Sequence, residues 1–173
     1  MGRPDPSGTT ADPPFVHDAN QGPPGPAEPP RTGRLIGVDW GERRIGLARS
    51  DETQVLAQPL ATLVRRAGKR LPMRPLLALL HEHAATGVIV GLPLTPAGDE
   101  GPAAREARAL ANEIARRTQL PVAMWDERFT TARVRSAVQE MGGGTRGRKA
   151  ELDALAATLL LQQYLDARRG SAR

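Results

Sequence analysis

The chain has no cysteine, which excludes disulfides, thiolate zinc sites and thiol nucleophiles. Lysine is almost missing as well, with Lys69 and Lys149 the only two among 24 basic side chains. The surplus over 19 acids, net +5 with a sequence pI near 10.8, is therefore carried by arginine. Arginine forks match phosphate oxygens, so a polyanionic partner such as nucleic acid is expected. Genome composition can account for the choice of arginine over lysine, but less readily for the net charge. No apolar run approaches the roughly 18 residues that cross a bilayer, and the first residues lack the basic start and apolar core of a signal peptide. A soluble, cytoplasmic protein with no membrane partner is expected. At 173 residues there is room for one domain with a core, plus extras.

Residues 1–33 hold nine of the 16 prolines and five glycines, with little beyond Phe15 and Val16 to build a core. Such a segment cannot offset its ordering entropy, and we expect a disordered Pro/Gly-rich tail. Residues 34–168 form the expected folded domain, and 169–173 a short basic tail. The domain opens with a strand, a glycine turn and a second strand over residues 35–51. Two-residue alternation sets Leu35, Gly37 and Asp39 on one face and Ile36, Val38 and Trp40 on the other. Gly41 suits a turn that needs positive φ, and Gly46 a place where a backbone or ligand comes close. Residues 55–63 predict a third, antiparallel strand, which Pro59 directs to the sheet edge.

A helix starting near Pro72 or Pro75, carried by Leu76, Leu79, Leu80 and His83, is expected to close at Gly87. His81 and His83 lie two residues apart on that helix and so point to nearly opposite sides, which argues against a metal pair. Residues 87–91 are wholly apolar between glycines, as in a strand buried on both faces. After a loop over 92–98, Asp99 is expected to cap a helix with Ala103, Ala107, Leu110, Ala111 and Ile114 inside. Residues 121–125 predict the last strand, and Thr130 or Thr131 a cap for a helix running to Met141. Residues 142–149 predict a mobile basic loop. The final helix, 150–167, is expected to bury Leu152, Leu155, Ala156, Leu159 and Leu160.

Three places offer carboxylates beside core elements. Asp39 ends the first strand, Asp126 and Glu127 end the last, and Asp153 faces partly inward near the start of the final helix. If the strand ends are neighbours, Asp39 and one of Asp126 or Glu127 lie side by side, and the helix brings Asp153 across. Grouped carboxylates repel one another unless cations neutralise them. With oxygen ligands only, Mg²⁺ or Mn²⁺ is expected, and two such ions activate water and stabilise the leaving oxygen of a phosphodiester. The plainer alternative is that each acid caps its own turn or pairs with Arg43, Arg128 or Arg148. Neither a dinucleotide fingerprint nor a P-loop is present. The first hairpin is similar to a phosphate loop of actin-like kinases, but the chain leaves little room for their second lobe.

Four blocks then carry a family resemblance: residues 37–41 through Arg43-Arg44-Ile45-Gly46 to Ser50-Asp51; Val90-Gly91-Leu92-Pro93 with Gly98 and Glu100-Gly101; residues 126–131; and Lys149 through Asp153 to Ala156-Ala157. Together they resemble the YqgF or RuvX family of ribonuclease H-like proteins, associated with pre-16S rRNA processing and Holliday-junction resolution. The resemblance spans residues 34–167. It implies an α/β, ribonuclease H-like fold: a mixed five-stranded sheet, its first three strands antiparallel, flanked by helices. It also implies an acidic catalytic site of Asp39, Glu127 and Asp153 holding Mg²⁺ or Mn²⁺, with Asp126 in support. Arg43, Arg44, Arg128, Arg146, Arg148 and Lys149 would grip phosphates. The expected partner is structured RNA, with ribosomal precursor particles, or else branched DNA. A non-catalytic RNA-binding assembly factor is the other class of function, and monomer and homodimer are both compatible with the sequence.

Overall fold

The computed structural model describes residues 28–65, 71–129 and 148–171. Its elements in chain order are β1 (Arg34–Trp40), β2 (Arg44–Ser50), β3 (Ala57–Val64), α1 (Met73–Glu82), β4 (Ala85–Leu92), α2 (Pro102–Thr118), β5 (Val122–Asp126), a 3₁₀ turn (Glu127–Phe129) and α3 (Arg148–Gly170). The strands form one sheet in the order β3-β2-β1-β4-β5. β1, β2 and β3 pair antiparallel, whereas β1–β4 and β4–β5 are parallel. This is the mixed five-stranded sheet that the family resemblance implies. Pro59, which lacks an N–H, sits on the edge strand where the β2–β3 register slips, opposite Ala48.

Alternation along the strands divides the core. Ile36, Val38, Trp40, Ile45, Leu47, Val88 and Val90 pack with Leu76 and Leu80 of α1 and Leu110 and Ile114 of α2. Leu35, Ala48, Ile89 and Trp125 point the other way, onto Ala157, Leu160, Leu161, Tyr164 and Leu165 of α3. None of the described helices is long and apolar enough to cross a membrane.

Several local expectations need correction. α1 ends at Glu82 rather than Gly87, because the His83 N–H closes on the Leu79 carbonyl at 3.0 Å and Ala84 turns the chain at φ 48°. Gly87 is a residue of β4. α2 is preceded by Gly101 in extended conformation with Pro102 in its first turn. Asp99 is exposed, and its own N–H donates to Thr95 Oγ1 at 3.0 Å. Ala104, rather than Ala103, faces inward.

The buried side of α3 is Ala154, Ala157, Leu160, Leu161, Tyr164 and Leu165, while Leu155 is exposed. The leucine-rich sequence offers apolar residues all round, and the side chosen is the one whose small residues fit close to the sheet. The helix expected over residues 130–141 lies outside the described residues. So does the basic loop up to 147, whereas Arg148 and Lys149 already belong to α3.

At the amino-terminal end of β1, residues 28–33 lie against the end of α3. Arg168, 5% exposed, donates to the carbonyls of Pro29 (2.8 Å) and Pro30 (3.2 Å), and Gln54 Nε2 donates to those of Pro30 (2.8 Å) and Gly33 (2.9 Å).

Candidate active site

Asp39 is the next-to-last residue of β1 and shares the α3 side of the sheet with Leu35 and Gly37. The β1–β2 register sets it opposite Gly46. On its other flank, β1 and β4 pair in parallel up to Val38 and Val90, so Gly91 comes next along β4. Neither glycine could carry a side chain without displacement. A Cβ on Gly46 would lie 1.9 Å from the carbonyl oxygen of Asp153, and one on Gly91 would lie 2.4 Å from Glu127 Oε1. The helix bearing Asp153 therefore lies directly on β2, and the Glu127 carboxyl lies directly on β4. With adjacent strands about 4.8 Å apart, the three acids are stationed over three neighbouring strands on one face. Glu127 is 4% exposed, and Asp39 and Asp153 are half-buried.

Asp126 takes a different place. As the last residue of β5 it alternates with Trp125, so it points away from α3 along with Val122 and Met124. It is 3% exposed and is held by Arg128: the backbone N–H donates at 2.9 Å, Nε at 3.1 and 3.0 Å, and Nη2 at 2.7 Å. These bonds raise the Arg128 pKa above its ordinary value. The Arg128 guanidinium also lies against Gly98, where a Cβ would be 3.0 Å from Nη1 and where φ is +94°. The Asp126–Arg128 pair thus fastens the loop after β4 to the end of β5. In that loop Glu100 accepts from Arg108 Nε at 2.7 Å, a bond that keeps its carboxyl below the usual glutamate range.

Asp153 Oδ2 accepts from Arg44 Nε, both side chains being about one-third exposed (30% and 32%). Arg44 stands on the same face because Arg44, Gly46 and Ala48 alternate toward α3. Among the described residues, no three His, Asp or Glu side chains are grouped closely enough to hold a metal ion. The acids share a face, but Asp153 is turned toward arginine. Local pairing therefore describes Asp126, and Asp153 pairs with an arginine outside the set expected from sequence.

The residues expected to grip phosphates are in different situations. Arg43 is exposed at the tip of the β1–β2 hairpin. Arg44 and Arg128 are engaged as described. Arg146 lies outside the described residues, as do the side chains of Arg148 and Lys149, whose backbone forms the first turn of α3. Gly41 needs no positive φ; a Cβ there would meet the Arg44 carbonyl oxygen at 2.4 Å, so closeness of the hairpin backbone accounts for it.

Sequence reasoning missed Arg65. Its side chain is 6% exposed, with its guanidinium 4.1 Å from the centre of the Trp40 ring. It donates to the Glu42 carbonyl at 2.8 Å and so steadies the hairpin that carries Asp39 and Arg44. Only the β2–β3 register, which brings Val64 opposite Arg44, could have pointed to it. Ser50 ends β2 and its Oγ accepts from the Leu35 N–H at 2.9 Å, while Asp51 organises the turn that follows, its Oδ1 accepting from the N–H groups of Val55 (2.7 Å) and Leu56 (2.8 Å).

Residues 33–167 match the family model described as "RuvX: Holliday junction resolvase". The chain belongs to the RuvX family. Asp39, Glu127 and Asp153 all fall within the RuvX match. A Mycobacterium sp. (strain KMS) protein named "Putative pre-16S rRNA nuclease" is 42% identical over 149 residues, covering 86% of this chain and 88% of that one. An Anaeromyxobacter sp. (strain Fw109-5) protein of the same name is 41% identical over 135 residues, covering 78% of this chain and 98% of that one. Among solved structures, T. thermophilus RuvC in complex with Holliday junction substrate aligns with a TM-score of 0.52 and 18% identity, covering 80% of this chain and 97% of that one. At that identity the likeness shows the fold alone, which is ribonuclease H-like.

Proposed function

We propose that this RuvX-family chain is a metal-dependent endonuclease that hydrolyses phosphodiester bonds in structured RNA, its substrate being the 5′ end of pre-16S rRNA in ribosome assembly. The observation that carries the reading is the placement of Asp39, Glu127 and Asp153 over three adjacent strands of one face. The nuclease names of the relatives support it.

The donor set fits a hard divalent cation: every candidate ligand is a carboxylate oxygen, and the chain has no cysteine to offer a thiolate. As they stand the three side chains are not gathered for a metal, and Asp39, Glu127 and Asp153 would hold Mg²⁺ or Mn²⁺ once Asp153 turns from Arg44. The bound cation supplies an activated water and charge stabilisation at the leaving oxygen. The chain's own residues do the rest. Asp126 and Arg128 fix the strand end from which Glu127 projects, and the Gly46 contact sets the height of Asp153 above the sheet. Arg43, exposed at the hairpin tip, would meet a phosphate.

A second reading, cleavage of branched DNA, is favoured by the family description and changes only the polymer. A homodimer would then present two sites to a two-fold symmetric junction. One assay separates these readings: cleavage of a pre-16S rRNA end and of a four-way DNA junction at one salt concentration, with Mg²⁺ or Mn²⁺. We expect cleavage of the RNA, and a drop of at least ~100-fold in Asp39→Asn protein that melts like wild type. Faster cutting of the junction selects the DNA reading. RNA binding without cutting in any divalent metal selects a non-catalytic assembly factor.

A further inference from the structure

Arg44 and Asp153 are 109 positions apart in sequence, yet they meet on the face where the acids gather. Arg44 opens β2, two residues before Gly46, and the close seat of α3 on Gly46 brings Asp153 within reach of its Nε. The guanidinium therefore occupies a Asp153 oxygen that the acid site would use. A guanidinium N–H and a divalent cation compete for the same lone pairs of a carboxylate. The pair is also about one-third exposed on each side, and ion pairs so open to water are weak enough to exchange. Next along the hairpin is Arg43, which is exposed.

We propose that Arg44 is a positioning residue that locks Asp153 while no metal is bound and releases it when a divalent cation enters. This rests on the acid-site reading above. Metal entry frees the guanidinium for a substrate phosphate, and a phosphate that takes Arg44 frees Asp153 for metal. Metal and nucleic acid therefore promote each other's binding by the same factor. Without nucleic acid, Arg44 lowers the metal affinity of the site.

The test is Mn²⁺ alone, titrated into the full chain and followed by electron paramagnetic resonance of the free ion, with melting curves for every variant. Arg44→Gln should bind Mn²⁺ about fivefold more tightly than wild type, the upper end for one ion pair partly open to water. Arg44→Lys keeps the charge without the fork and should fall between the two; it carries the test if Arg44→Gln melts out. Arg43→Gln removes a neighbouring exposed charge and should change affinity less than about twofold. Unchanged or weaker binding in the Arg44 variants overturns the lock, as does an equal gain in Arg43→Gln, which would be bulk electrostatics. Asp39→Asn should abolish the binding. Wild-type Mn²⁺ affinity in Asp39→Asn would instead reject the acid site itself.

Discussion

Against α1 and α2 the sheet presents Ile36, Val38, Ile45, Leu47, Val88 and Val90, all fully buried, whereas against α3 the same strands present Gly37, Gly46 and Gly91 among Leu35, Ala48 and Ile89. The first face is filled by branched side chains and gains its stability from the apolar area they bury. On the second, side chains are missing where something must come near: Leu161 at Gly37, the Asp153 backbone at Gly46 and the Glu127 carboxyl at Gly91. Bulk on one face is a matter of stability. Its absence on the other sets how close the acids can come.

The sharpest way to break this contrast is Gly46→Ala. Its methyl would have to displace the α3 backbone, so we expect a loss of about 3 kcal/mol or more together with loss of cleavage, read by melting and by the RNA assay. Leu47→Ala, one residue along and facing α1 and α2, should cost a similar 2–3 kcal/mol, yet leave the cleavage rate of the folded fraction near wild type. Matching losses of activity in the two variants would dissolve the division of labour between the faces. Gly91→Ala is the finer probe. The atoms in its way are the ends of two side chains, Glu127 Oε1 at 2.4 Å and Leu160 Cδ1 at 2.5 Å, so stability should fall by about 1–2 kcal/mol while a displaced Glu127 costs ~10–100-fold in rate.

The smallest effect lies away from both faces. Hydrogen bonds from Thr53 and from the Leu56 and Val55 N–H groups pull the Asp51 pKa down to about 2 from an ordinary 3.8. A lowered folded pKa means stability that is fully present above about pH 4 and is lost as pH falls toward 2. Asp51→Asn should therefore melt a few degrees below wild type at neutral pH, with the gap closing near pH 2.

The succession of strands along the chain and the face that Asp39 shares with Leu35 and Gly37 were legible from a two-residue period, and the edge position of Pro59 from its missing N–H. The same period contained an unused answer about Asp126 and Glu127. Consecutive residues at a strand end turn to opposite faces, so only one of them could join Asp39, and the resemblance rather than the geometry supplied Glu127. α3 was read with the wrong stripe because leucines surround it; its close seat depends on glycines in other elements, which no pattern within the helix records. The Arg44–Asp153 contact was illegible for the same reason, since it exists only once β2 and α3 are packed. Asp99 offered a cap that α2 does not use, a local preference overridden by Gly101 and the Pro102 start.

The clasp of Arg168 and Gln54 on residues 28–33 has a practical side. β1 runs seven residues from that clasp toward Asp39 and Trp40, a span of roughly 23 Å. A reporter dye attached at Arg31, which is exposed, would ride on the folded body at the end of β1 away from Asp39. Paired with an acceptor on a substrate strand, it gives a fixed molecular ruler for following each encounter in real time.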